Sequence, residues 1–113
     1  MNKRLIIVVL LLFAASTAFA DPPKKMELKL TGQRLIVNVL HGSKKVDLHY
    51  IKAIVIKLDG KKIIEQDYSL QSPLGQIAIY EIPELAKKHS SLTVSATCSI
   101  YGTKTEVLKL NTK

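Results

Sequence analysis

From Leu92 to Ile100 the chain alternates without a break, with Leu92, Val94, Ala96, Cys98 and Ile100 set against Thr93, Ser95, Thr97 and Ser99. A period of two is the repeat of a half-buried strand and is incompatible with the 3.6-residue repeat of a helix. The pattern puts Cys98 on the core side of a sheet. It recurs over Leu35, Val37 and Val39, and His41 falls in the same register just beyond them if that strand runs on.

Seven such runs succeed one another, at 26–30, 34–40, 49–58, 61–69, 76–82, 92–100 and 104–110, each rich in Val, Ile, Leu, Thr or Tyr. Turn signals separate them. Thr31-Gly32-Gln33 reads as a short hairpin connection, and Asp59-Gly60 is the strongest hairpin signal, because both residues tolerate the positive φ of a type I′ turn. Residues 71–75 read as a loop, and residues 83–91 as a longer loop with room for one helical turn. The third run is apolar on both faces, which implies a central strand covered on both sides, or a bulge. Short strands, close turns and no helices between them imply an all-β chain, an immunoglobulin-like antiparallel β-sandwich of about seven strands.

The first 20 residues have a different character. Lys3 and Arg4 precede an apolar run from Leu5 to Ala15, and Ala18-Phe19-Ala20 closes it, the pattern of a secretory signal peptide cut after Ala20. The run is shorter than a membrane-spanning helix needs and is followed by Asp21-Pro22-Pro23, so no stable membrane insertion is expected after cleavage. Residues 21–113 then form one periplasmic or secreted domain, too small for a second core. Without Lys3 and Arg4 the formal charge falls from +8 to +6, carried mostly by lysine pairs scattered over turns and strand ends. Such a rim keeps a small β protein in solution; it would also steer an anionic partner such as superoxide, an acidic electron donor or an anionic membrane surface. Nucleic-acid binding is not expected, since Tyr50, Tyr68, Tyr80 and Tyr101 are the only aromatic residues after the leader. Cys98 is the sole cysteine, so no intrachain disulfide can staple the fold. Its thiol is buried and inert, bound to a metal, or bridged to another chain.

The side chains that carry chemistry fall in two clusters, His41-Gly42-Ser43 with His49-Tyr50-Ile51-Lys52, and Cys98-Ser99-Ile100-Tyr101-Gly102. Imidazole and thiolate are the donors that borderline and soft metals prefer. Residues 41–60 with 98–102 resemble the ferrous-iron domain of desulfoferrodoxins and superoxide reductases. That resemblance implies an immunoglobulin-like sandwich holding iron by four equatorial histidines and an axial cysteine, within the motifs Lys-His, His-Pro, His-Tyr-Ile and Cys-Asn-X-His-Gly. His49 matches the histidine of His-Tyr-Ile, and Cys98 matches the axial ligand. His41 stands near the His-Pro position with Gly42 in place of proline and two extra residues before His49; without a gap, Ser43 would take the place. Tyr101 replaces the last histidine, and no histidine precedes His41.

With those ligands missing, authentic superoxide reductase chemistry is not expected. The reading that remains is a reduced metal site of His41, His49 and Cys98, with Tyr101 lining it and iron or copper as the cofactor, in one-electron work with a redox partner. A His₂Cys set suits copper or zinc better than a hard cation, and Met26 is the only methionine after the leader that could serve as a weak axial ligand. The plain alternative has no metal: Cys98 is a small core residue, His49 bonds a backbone carbonyl and His41 is solvated. His89, beside Lys87 and Lys88, reads as a surface residue. A second resemblance, to the sulfur-carrier subunits of thiosulfate oxidation, rests on the His-then-His-aromatic-Ile run and implies a periplasmic carrier-complex module that binds a protein partner without metal.

Overall fold

The computed structural model describes residues 23–110; the expected signal segment lies outside them. Among these residues no helix is long and apolar enough to cross a membrane. Seven strands form: β1 (Lys25–Thr31), β2 (Arg34–Leu40), β3 (Ile51–Leu58), β4 (Lys61–Asp67), β5 (Gly75–Glu81), β6 (Ser91–Cys98) and β7 (Thr103–Lys109). A single 3₁₀ turn, Pro83–Ala86, occupies the loop expected to hold one. The strands make two antiparallel sheets, ordered β1-β2-β5 and β4-β3-β6-β7, stacked as a sandwich.

Turn chemistry sets the two hairpins. Thr31 pairs with Arg34, leaving a two-residue loop whose first residue, Gly32, has φ 61°, as a type II′ turn requires. Asp59 (φ 51°) and Gly60 (φ 84°) give both positive angles of the I′ turn between β3 and β4. The Asp59 carboxylate also ties this turn to the start of β6: Oδ1 accepts from the backbone N–H groups of Ser90 and Ser91, and Oδ2 bonds His89 Nδ1 at 2.9 Å. These bonds, His89 first, hold the Asp59 carboxyl below its usual pKa.

The inward faces supply the core. Leu35, Val37 and Val39 of β2, Ile54 and Ile56 of β3, and Leu92, Val94 and Ala96 of β6 are fully buried, joined by Met26, Leu58, Ala78 and Ile82. Each large aliphatic side chain so buried contributes about 1.5 to 3 kcal/mol of transfer free energy. The irregular third strand is explained by a bulge. Between Ile51 and Ala53 the pairing with β6 slips by one, so that Ile51 and Ile54, three apart, both face inward. A second slip, between β3 and β4, lets the neighbours Ile63 and Ile64 both pack against the core.

One expected core residue is misplaced by the pattern. β6 stops at Cys98, whose N–H bonds Gly102 O in a tight turn, and Ile100 is carried outward to 57% exposure. The four edge strands are protected unequally. β1 and β4 carry charged side chains, and β7 sets Lys104 and Glu106 on its half-buried face, a device that discourages edge pairing. β5 carries no charge from Gln76 to Tyr80 and exposes Ile77 and Ile79.

Candidate metal centre

The end of β2, the start of β3 and the end of β6 lie at one end of the sandwich, and there His41, His49 and Cys98 meet. Their ligand atoms all lie within 4.8 Å of one another. Three donors sharing one ion at bond lengths of about 2.0 to 2.3 Å sit roughly 3.3 to 3.8 Å apart, so closure by about 1 Å, within reach of side-chain rotation, would complete the set. Cys98 is 1% exposed and His41 3%, while His49 is half-buried.

Each residue arrives by a separate route. The His41 N–H donates to Leu74 O at 3.0 Å and the Ser43 N–H to Pro73 O at 2.9 Å, so the segment after β2 is laced to the 71–75 loop. That loop is closed by reciprocal backbone bonds between Ser72 and Gly75. Gly75 cannot be any other residue without rearrangement: its φ is 144°, and a Cβ there would lie 1.9 Å from Val39 O.

From the same loop Gln71, 2% exposed, reaches the histidine. Its Nε2 donates to the carbonyls of His41 and Ser72, which fixes its Oε1 as the acceptor facing Ile51 N–H at 2.9 Å and His41 Nδ1 at 2.8 Å. His41 must therefore carry its proton on Nδ1 when neutral, leaving the Nε2 lone pair free. That atom is buried and has no hydrogen-bond partner, and the same holds for His49 Nε2. Two buried nitrogens unpaired beside a thiol are what a ligand set looks like before an ion joins it, since buried polar atoms are otherwise satisfied.

His49 is pinned from both sides by Ser99. The Ser99 hydroxyl accepts from Tyr50 N–H at 3.1 Å and donates to Leu48 O at 3.2 Å, while Ser99 N–H donates to Tyr50 O at 2.8 Å. Because Ser99 follows Cys98, the thiol and the imidazole are positioned by one clamp. The rings of His41 and His49 stand edge to face with centroids 4.6 Å apart, and Tyr101 stands edge to face against His49 at 5.6 Å. Tyr101 is 42% exposed and borders the site on its solvent side.

The structure thus brings together His41, His49, Cys98 and Tyr101, named from the sequence, and adds Gln71 and Ser99, which sequence reasoning missed. A serine beside the cysteine and a glutamine in a loop carry no spacing signal of their own. Met26 lies on the inward face opposite Val39 and hence diagonal to His41 across the β1–β2 pair. His89 is held by Asp59 at the β3–β4 turn and takes no part in the cluster. The whole chain has three histidines, so four imidazoles cannot assemble here.

No known family profile and no curated protein sequence matches the chain. Among solved structures it is similar to a superoxide reductase, described as 1Fe-SOR, from Giardia intestinalis, with 19% identity over 80% of this chain and 100% of that one, at a TM-score of 0.65. It is also similar to a hypothetical protein from Pyrococcus horikoshii, with 17% identity over 81% and 89% of the two chains, at a TM-score of 0.51. At such identities the likeness is one of fold. The chain shares the fold of that superoxide reductase, as the resemblance of residues 41–60 and 98–102 implied, and its strand pattern independently gave the sandwich architecture.

Proposed function

We propose that this chain is an exported metal-binding protein that holds one soft or borderline ion through His41, His49 and Cys98 and serves in one-electron transfer. The observation that carries the reading is the pair of buried, unpartnered Nε2 atoms beside a buried thiol. Export rests on the leader pattern of residues 1–20. A four-histidine iron centre does not fit the residues present, so superoxide reduction through such a centre is not proposed.

Each residue has a part. Gln71 keeps the proton of His41 on Nδ1 and presents Nε2; Ser99 fixes the backbone on both sides of His49; Cys98 would release its proton to solvent on taking up an ion and so supply the charged donor. The aliphatic core below and Tyr101 at the rim limit water. A bound redox-active ion would supply the one-electron chemistry.

Purified, untagged residues 21–113 test this by metal analysis and a visible spectrum before and after Cys98→Ala. Stoichiometric metal with a thiolate charge-transfer band lost in the variant supports the reading. Protein that stays metal-free at micromolar ion overturns it. That result would leave the second reading, a module that binds a protein partner, for which the uncharged β5 edge with exposed Ile77 and Ile79 is the supporting feature.

A further inference from the structure

We infer that the ion this site selects is cuprous copper, held by three donors in an assembly of no net charge. The inference rests on the metal-binding reading above and names its ion.

Charge is the first argument. With Cys98 as thiolate and both imidazoles neutral, the donor set carries one negative charge. A monovalent ion cancels it, whereas zinc or ferrous iron leaves a full positive charge in a pocket where Cys98 and His41 are almost wholly buried. Among the described residues no carboxylate joins the cluster. The partner of His41 is also uncharged: metal-bound histidines frequently lean on a carboxylate, which offsets a divalent ion, but here the group at Nδ1 is the Gln71 amide. Residues 21–113, formally +6 without Lys3 and Arg4, offer no compensating field.

Ligand number and softness point the same way. Structural zinc takes four protein ligands almost without exception, and among the described residues no fourth histidine, cysteine or carboxylate stands in the cluster, so zinc here would need a water as its fourth ligand. Thiolate with imidazole suits Cu(I), a closed-shell ion content with three donors, and Met26, diagonal to His41, is a soft side chain rather than a hard one. On binding, the Cys98 S–H bond breaks, the proton leaves to solvent and the S–Cu bond forms. Copper is taken up already as Cu(I), so the binding step consumes no oxidant or reductant.

The test is a competition under argon on residues 21–113. Cu(I), supplied as its acetonitrile complex, is titrated against bathocuproine disulfonate, and Zn(II) and Fe(II) against chromophoric chelators of matched strength. The expected result is one Cu(I) per chain, bound at least about a hundredfold more tightly than either divalent ion, with an X-ray absorption edge of three-coordinate Cu(I) bearing one sulfur. Gln71→Glu places a carboxylate behind His41 and should raise the ratio of Zn(II) to Cu(I) affinity by about tenfold or more. Zinc or iron bound as tightly as Cu(I) by the parent protein overturns the cuprous assignment and leaves metal binding intact. Failure to retain any of the three ions overturns both readings. A folded Gln71→Glu protein with an unchanged ratio overturns the charge argument, and if that variant does not fold, the parent titrations decide alone.

Discussion

Gln71 grips His41 at two points, accepting the ring Nδ1–H through Oε1 at 2.8 Å and donating through Nε2 to the same residue's carbonyl. The amide thereby fixes both the backbone and the tautomer of a histidine thirty positions away, and it pairs the Ile51 N–H as well. Gln71→Ala should leave buried backbone groups of His41 and Ile51 without partners. A loss of about 2 to 4 kcal/mol in urea unfolding is expected, together with weaker metal retention. Unchanged unfolding would show that water replaces the amide at no cost.

Cys98 contributes to the core as a small apolar body and, in the proposed site, would be the one anionic donor. Cys98→Ala is therefore expected to cost about 1 kcal/mol or less in stability while abolishing metal binding. Chemical denaturation and metal analysis on one preparation separate the two effects.

Gly75 and Gly42 make a matched pair. Alanine at 75 would drive its Cβ into Val39 O and sit at a φ of 144°, so Gly75→Ala should lose at least about 3 kcal/mol and loosen the Leu74 carbonyl that holds His41. Nothing lies within 4 Å of a Cβ at Gly42, so Gly42→Ala should stay within about 0.5 kcal/mol of the parent. Thermal melts of the two variants check the contrast.

Acid should weaken the far end of the sandwich through Asp59. Its folded pKa lies below the unfolded value because His89 and the Ser91 and Ser90 N–H groups bond its charged form. The stability this gives is present above the unfolded carboxylate range, near pH 4, and is lost as pH falls through the folded value. Asp59→Asn keeps a residue that tolerates the φ of 51° but cannot titrate. Its urea midpoint should fall less than the parent's between pH 5 and pH 2.

The sequence conveyed the strands and the cluster well, for physical reasons. All seven strands and the Asp59-Gly60 turn follow from local signals, a period of two and a dihedral requirement, which need no knowledge of distant residues. The meeting of His41, His49 and Cys98 followed from alternation and from the family resemblance. What stayed hidden depends on pairing across long separations. The Ser99 clamp on His49 and the Gln71 bridge to His41 are set by register between segments, and neither residue type announces itself. Ile100 failed for a related reason: alternation was extended past Cys98, where a tight turn to Gly102 had already ended the strand.

The slip beside Lys52 changes how parity is counted along the chain. Ile51 faces inward on an odd number and Ile54, Ile56 and Leu58 on even ones, because Lys52 is an extra residue with no partner of its own on β6. Without Lys52, Ile51 would still face Cys98 and Ala53 would still face Thr97 as a regular ladder, so the extra residue leaves the register of the donors untouched and instead bends the start of β3 beside them.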